Sequence, residues 1–469
     1  MAQTYDLTKG NVTKVVIKFF FPLFFTNLLQ QLYNIADTII VGKGISDNAL
    51  AAVGNMSSLT FLIIGFSMGL SNGFSVSTAI NYGAKNYNKL RRALASSIKL
   101  CIFITVILTG LSIFFLKDIL ILLKTDTKIM KDSLTYGYII FGGLFTTIAY
   151  NMCAFTLRSL GDSKTPLIAI IASTIINISL NYITIFVFGM GVEGAALATI
   201  ISQIISALIC FNKLRKIEIL QLTKEDFKTD LSLYLELFRN GLPMALMNSI
   251  TAVGCMVVQY FVNELGVAYT TAYTACSKYI NLFMQPGCTA GFAMSSFTSQ
   301  NYGAGEYRRI KEGLFVCLKI ALIAYVTLGS IMILFPEALA KIMLSTPEPI
   351  KLATQFLPIC GSMIIFVDCL FIFRSGCQAM GRPFIPMVSG IVEMVMRIAT
   401  IILLVDRIAF RATAFAECAA WFSAFVLNLI CFIVILRKAI KSSEQSNKGT
   451  DTFDYYNSST EKEKNYGRT

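Results

Sequence analysis

The sequence predicts an all-α membrane protein, with twelve transmembrane helices in two pseudo-symmetric six-helix lobes. Three observations predict it. The 469 residues are 55% hydrophobic and only 14% charged, with a mean hydropathy of +0.65. Soluble chains carry nearer a quarter charged residues, so charge has been exchanged for apolar surface. The apolar runs recur, and many reach the roughly 20 residues that cross a bilayer core as helix. The second half of the chain also repeats the first in register.

Reading apolar runs between polar breaks places the spans in order. The first six run roughly 15–41, 50–80, 98–116, 134–157, 166–188 and 194–211. The second six run roughly 241–262, 269–300, 313–335, 352–373, 384–405 and 412–436. The expected organisation is therefore an N-terminal lobe over 1–211, a cytoplasmic linker over 212–238 and a C-terminal lobe over 239–437. The tail over 438–469, rich in Ser, Glu, Lys and Asn, is expected to be disordered.

Several matches share the register of the repeat. "NYGAKNY" starts at Asn81 and "NYGAGEY" at Asn301, each closing the second span of its half. The same offset separates Gly161 from Gly381 and Pro166 from Pro386. Pro22 and Asn27 recur as Pro243 and Asn248 at nearly that offset. An even number of spans per lobe makes these parallel repeats, an arrangement that in transporters places a cavity between lobes that rock about it.

Orientation follows from basic residues in short loops. One set holds Lys85, Lys89, Arg91 and Arg92, then Arg158 and Lys164, then Lys213, Arg215 and Lys216. It continues with Arg308, Arg309, Lys311, Arg374, Arg382, Arg437 and Lys438. The opposite set is poorer, although Lys117, Lys124, Lys128 and Lys131 crowd one loop. Both termini are expected in the cytoplasm of a multi-pass plasma-membrane protein. The net charge of +13 is largely this signal plus the tails, and no nucleic-acid surface is needed to explain it.

Composition also excludes chemistry. Histidine is absent, which removes HExxH zinc sites, Ser-His-Asp triads and the usual proton shuttle. Twelve cysteines are scattered singly without CxxC spacing and read as small reduced core residues. The polar, basic stretch Thr8 to Lys18 leads into a run long enough to stay as a span, so no cleavable signal is expected. No nucleophile–base set stands out, and the chain does not read as an enzyme.

What remains is charge and amide inside the membrane. Asp37 lies about 28 Å beyond Lys18 along the first helix at 1.5 Å per residue, in its outer half. Asn34 and Tyr33 precede it by three and four residues and form a polar strip. Intramembrane carboxylates are functional sites by default, and one that gains and loses a proton holds a cation very differently in its two states. The bland alternative is an interfacial aspartate, or one paired with Lys43. In the fifth span Asn177 and Asn181 stand four apart on one face, with Thr199 in the sixth. They serve either a site or helix–helix hydrogen bonding. With Asp37 they make an all-oxygen set that suits a hard cation such as Na+.

The second lobe offers Asp368, Gln259, Glu393, Arg397 and Glu417. Glu393 and Arg397 are four apart and read as an ion pair within one helix. Pro22 and Pro243 should kink or cap their helices, and Gly65, Gly69 and Gly73 should allow close helix packing. Tyr33, Asn34, Met68, Tyr136 and Tyr150 are candidates for a substrate cavity with cation–π attraction, though they would look the same as packing.

The doubled "NYGA" loops, "LRSLGDSKTP", "QAMGRPFIP" and the "GLP" opening the seventh span resemble the multidrug and toxic compound extrusion family. The resemblance covers about Lys14 to Arg437. It implies a two-lobe, V-shaped exporter that exchanges H+ or Na+ for cationic amphipathic drugs by alternating access. It further implies a first-helix acid as coupling site, which Asp37 matches. One branch pairs an Asn with an Asp in helix five, and this chain has Asn177 and Asn181 instead, which removes a second carboxylate. A related branch uses acids of helices seven and ten; Asp368 resembles the latter, and helix seven lacks a clear counterpart. The expected partners are small cationic substrates and membrane lipids, with no cofactor beyond the coupling ion, and the chain is expected to be a monomer. Two rival readings keep the membrane location and change what crosses, or how. One is a flippase of a lipid-linked substrate, with a more basic cavity. The other is a channel, whose charge-lined pore usually needs a ring of subunits.

Overall fold

The computed structural model describes residues 6–122, 125–228 and 231–466, and every regular element among them is helical. The first lobe comprises α1 (Val12–Gly44), α2 (Asp47–Gly83), α3 (Tyr87–Leu122) and α4 (Thr127–Gly142 with Leu144–Ser159). It ends with α5 (Lys164–Tyr182, continued by a π-helical turn Ile183–Val187) and α6 (Val192–Arg215). The second lobe opens with α7 (Leu231–Leu265), α8 (Val267–Phe283 with Gln285–Gly303) and α9 (Tyr307–Ala324, a π-helical turn Tyr325–Gly329, and Ser330–Leu334). It closes with α10 (Pro347–Ala379), α11 (Phe384–Ile408) and α12 (Arg411–Tyr466). Among the described residues, ten helices are long and apolar enough to cross a membrane, or eleven with the two pieces of α4, bent by 44°, taken as one span. The remaining span is α8, whose second piece is rich in Gly, Ser and Thr.

Side-chain caps start several of these helices. Asn11 accepts from the Lys14 amide, Ser46 from the Ala49 amide, and Asp162 from those of Lys164 and Thr165. Such caps contribute about 1 kcal/mol each. The helices also extend past the apolar runs: α3, with Asn86 accepting from the Lys89 amide, begins at Tyr87 where the hydropathy alone begins at Ile98. The same extension corrects two assignments. Arg158 and Arg374 follow apolar runs, which by sequence puts them in cytoplasmic loops, yet both stand inside helices, 7% and 6% exposed. The expected linker is mostly helical at its ends, with α6 running to Arg215 and α7 starting at Leu231. Between them Thr223 and Arg91 hold Asp226. Burial opposes its charge, but these bonds keep the carboxyl below its usual range. The last helix continues to Tyr466, through a tail expected to be irregular.

The repeat is visible as geometry. Lys85 and Gly305, one residue past each "NYGA", both adopt left-handed backbone, φ 56° and φ 76°. The turn requires that conformation, so Lys85 stands where glycine would be unstrained. Gly161 and Gly381 do the same after α4 and α10, at φ 82° and φ 73°. Pro22 and Pro243 lie inside α1 and α7 rather than at their caps.

The lobes meet in a pseudo-symmetric seam. Asn27 donates to the Thr289 hydroxyl at 2.9 Å, and its repeat partner Asn248 donates to the Gly65 carbonyl at 2.9 Å. A Cβ added to Gly83 would overlap the Gln300 carbonyl, and one added to Gly303 would overlap the Ile80 carbonyl. Gly69 lies against the Ala245 backbone, and Gly73 against Gly241. Near the chain's start the Leu7 amide donates to Gln300, and Asn301 donates to the Leu7 carbonyl. These contacts occupy the half of the molecule nearer the N-terminus. Outward from the seam, Ile102, Phe103, Val106 and Phe114 of α3 are exposed, as a lipid-facing helix requires.

Candidate functional site

Asp37 belongs to the other half of α1, beyond the seam. The neighbouring α5 approaches closely there, because Gly44 leaves room for Ile185 and Phe186 of the π-helical turn. The result is a hydrogen-bonded pair of helices. Asn181 Nδ2 donates to Asp37 Oδ1 at 2.7 Å and lies 3.0 Å from Asn177 Oδ1. Both asparagines are fully buried, while Asp37 is half-buried. Buried amides out of water must be bonded, yet Asn181 Oδ1 and Asn177 Nδ2 have no protein partner. Those two atoms give the site a spare acceptor and a spare donor beside one carboxylate.

Tyr33, one turn before Asp37, donates its hydroxyl to Thr199 of α6 at 3.3 Å. Ser202, buried below it, bonds the Thr199 carbonyl. Tyr33 and Tyr136 both lie near enough to Asp37 to interact with its charge. The structure therefore gathers Asp37, Asn177, Asn181, Thr199, Tyr33 and Tyr136 inside the first lobe, from α1, α4, α5 and α6. Asn34 is exposed on α1. The side chain of Lys43, the alternative partner for Asp37, lies outside the described residues. Tyr150 packs in the lobe interior with Leu90, Leu157 and Cys210, and Met68 is half-buried beside the α2–α7 seam.

One carboxylate can neutralise one monovalent cation. No group of three or more His, Cys, Asp or Glu able to hold a metal occurs among the described residues. A bond to an ionised carboxylate contributes more than one to a neutral acid, so the Asn181–Asp37 contact is strongest while the carboxyl is charged.

The second-lobe candidates do not converge. Gln259 donates to Asn263 at 2.7 Å. Asp368 is 1% exposed and packs against Gly287, with Oδ1 unbonded. Glu393 and Arg397 form the ion pair their spacing predicts, at 3.2 Å, but inside a larger network. Arg374 reaches Glu393 at 2.6 Å, Arg397 reaches Glu417 at 2.9 Å, and Tyr273 donates to Glu417 at 3.3 Å. Two arginines and two glutamates thus balance across α10, α11 and α12. Arg374 escapes a sequence reading because it follows Phe373, where the apolar run stops. The signal that could find it is the helical period continuing through Gly376 and Cys377, both buried.

The MatE family model matches twice, over residues 22–183 and 243–403, once in each lobe. The chain belongs to the MatE family. Relatives agree along most of their length. The probable multidrug resistance protein YpnP of Bacillus subtilis (strain 168) is 30% identical over 391 residues, 81% of this chain and 85% of its own. The probable multidrug resistance protein NorM of Thermotoga maritima is 30% identical, over 80% of this chain and 82% of its own. A crystal structure of a MATE in the bent conformation shares the fold with TM-score 0.87 at 20% identity, over 93% of this chain and 98% of that one. MatE members are transporters rather than enzymes, and the two-lobe helical fold expected from the repeat is that of the family.

Proposed function

We propose that this MatE transporter is a cation-coupled exporter of cationic amphipathic compounds, working by alternating access between its lobes in the plasma membrane. The single observation that carries the coupling is the Asn181–Asp37 bond at 2.7 Å inside a buried polar cluster. Loading Asp37 with H+ or Na+ weakens its hold on α5. The change passes along α1, which also meets the second lobe through Asn27 and Thr289. Pro22 lacks an amide hydrogen, so α1 yields most readily near that end. The single carboxylate supports exchange of one monovalent ion at this site.

Basic loops at the chain's start support a cytoplasmic position for that half. With that orientation the seam lies on the cytoplasmic side, which supports an outward-facing reading of this arrangement. The multidrug names of the relatives support the cargo. A relative named as a FAD transporter, of Shewanella oneidensis, is 22% identical over 84% of this chain, which makes an anionic cargo the competing reading. The flippase reading asks for a basic cavity, and here two of the buried arginines are neutralised by Glu393 and Glu417.

Proteoliposomes loaded with a fluorescent cation under an imposed pH gradient, then an imposed Na+ gradient, test this. Transport driven by one gradient supports the exporter and names its ion. Failure of both, with transport of FAD or a lipid-linked sugar, would overturn it.

A further inference from the structure

Arg158 is a buried cation without an acid. It stands in the last turn of α4, 7% exposed. Its guanidinium lies 5.2 Å from the Phe155 ring centroid and 5.9 Å from that of Phe292, which belongs to the second lobe. Ring contacts offset about 2 kcal/mol of lost hydration when desolvated, less than a buried charge requires. The Nε atom has no hydrogen-bond partner, and no ion pair involving Arg158 occurs among the described residues. Asp368 packs against Gly287 and is not bonded to Arg158. The other two buried arginines, Arg374 and Arg397, each hold glutamate.

Beside Arg158 is a small, partly open cavity with room for one small occupant. It is lined by Ser75 of α2, Ser159 of α4, and Ser295, Ser296 and Ser299 of α8, with Asn72 at its edge. No carboxylate lines it. The hydroxyls of Ser295 and Ser296 have no protein partner among the described residues. The hydroxyls of Ser75, Ser159 and Ser299 donate to backbone carbonyls, so the donors left around the void are the guanidinium and the Ser295 and Ser296 hydroxyls, a set that favours an anion.

We propose that this cavity binds one small monovalent anion of the halide class, chloride being the abundant member, between Arg158 and the serine hydroxyls. Its walls come from both lobes, so the ion is held when the lobes are joined and freed when they part. Chloride then favours the joined state by its differential affinity for the two arrangements. The inference rests on Arg158 and not on Asp37.

The test is thermal unfolding of the purified full-length chain in detergent, in sodium chloride against sodium gluconate at equal Na+ and ionic strength. The midpoint should rise with chloride and saturate, because a ligand that binds only the folded state stabilises it by mass action. Bromide should replace chloride, while gluconate is too large for the cavity. Arg158→Gln should erase the difference. Ser296→Val, which fills the cavity and keeps Arg158, should erase it too and serves if the arginine variant does not fold. Identical midpoints in chloride and gluconate would mean that water alone occupies the site and would overturn the proposal. So would a chloride shift surviving in either variant.

Discussion

Removing Arg397 should be among the most damaging single changes in the second lobe, and the damage should be partly reversible by a second loss. Arg397 is 2% exposed and donates to Glu393 Oε1 at 3.2 Å and to Glu417 Oε2 at 2.9 Å. Arg397→Met leaves Glu393 with Arg374 but strips Glu417 of its cation, leaving it only the Tyr273 hydroxyl. Breaking a buried pair from one side costs about 3–5 kcal/mol, because the remaining charge is uncompensated. Arg397→Met with Glu417→Met leaves Arg374 and Glu393 at 2.6 Å, a balanced pair. The residual cost is the Tyr273 hydroxyl's lost acceptor and the donor lost from Glu393 Oε1, about 1 kcal/mol each, plus imperfect packing of two methionines. Arg397→Lys should fall between, since one ammonium cannot reproduce the fork that bridges both glutamates. Thermal unfolding midpoints in detergent at neutral pH measure the order: unmodified chain highest, then the double variant, then Arg397→Met. A double variant unfolding at or below the single one would refute charge balance as the reason the network exists.

Two further outcomes are expected at other places. Asn181→Leu removes the donor to Asp37, a charge-assisted bond of about 1.5–3 kcal/mol, and should shift the half-saturating concentration of the coupling ion by roughly 10- to 100-fold, read from transport against pH or Na+. Gly303→Ala forces a Cβ into the Ile80 carbonyl across the seam, so hydrogen exchange should quicken around residues 77–84 and 296–303, with the rest of each lobe unchanged.

The lobes, the repeat and the helix order were legible because each rests on a pattern within a short stretch: apolar length, basic loops, and "NYGA" twice. Asp37, Asn177 and Asn181 were legible as a group because polar groups in apolar helices announce themselves, and they do meet. The seam was not. Asn27 and Asn248 marked the register of the repeat, but their partners, Thr289 and the Gly65 carbonyl, lie in the opposite lobe. Arg158 and Arg374 were hidden by the rule that reveals topology, since an arginine just after an apolar run reads as a cytoplasmic flank. Distinguishing them needed the partner surfaces, Phe292 for one and Glu393 for the other. Tyr136 and Tyr150 carried no sign of which way they faced, and both turn into the first lobe.

Coupling through Asp37 is tested by comparing the unmodified chain with Asp37→Asn, measuring dye binding in detergent and gradient-driven dye transport in proteoliposomes side by side. Binding should be retained and gradient-driven transport lost, because the amide keeps the shape of the site and cannot exchange a cation. Full transport by Asp37→Asn under the same gradient would contradict it and make Asp37 a structural residue.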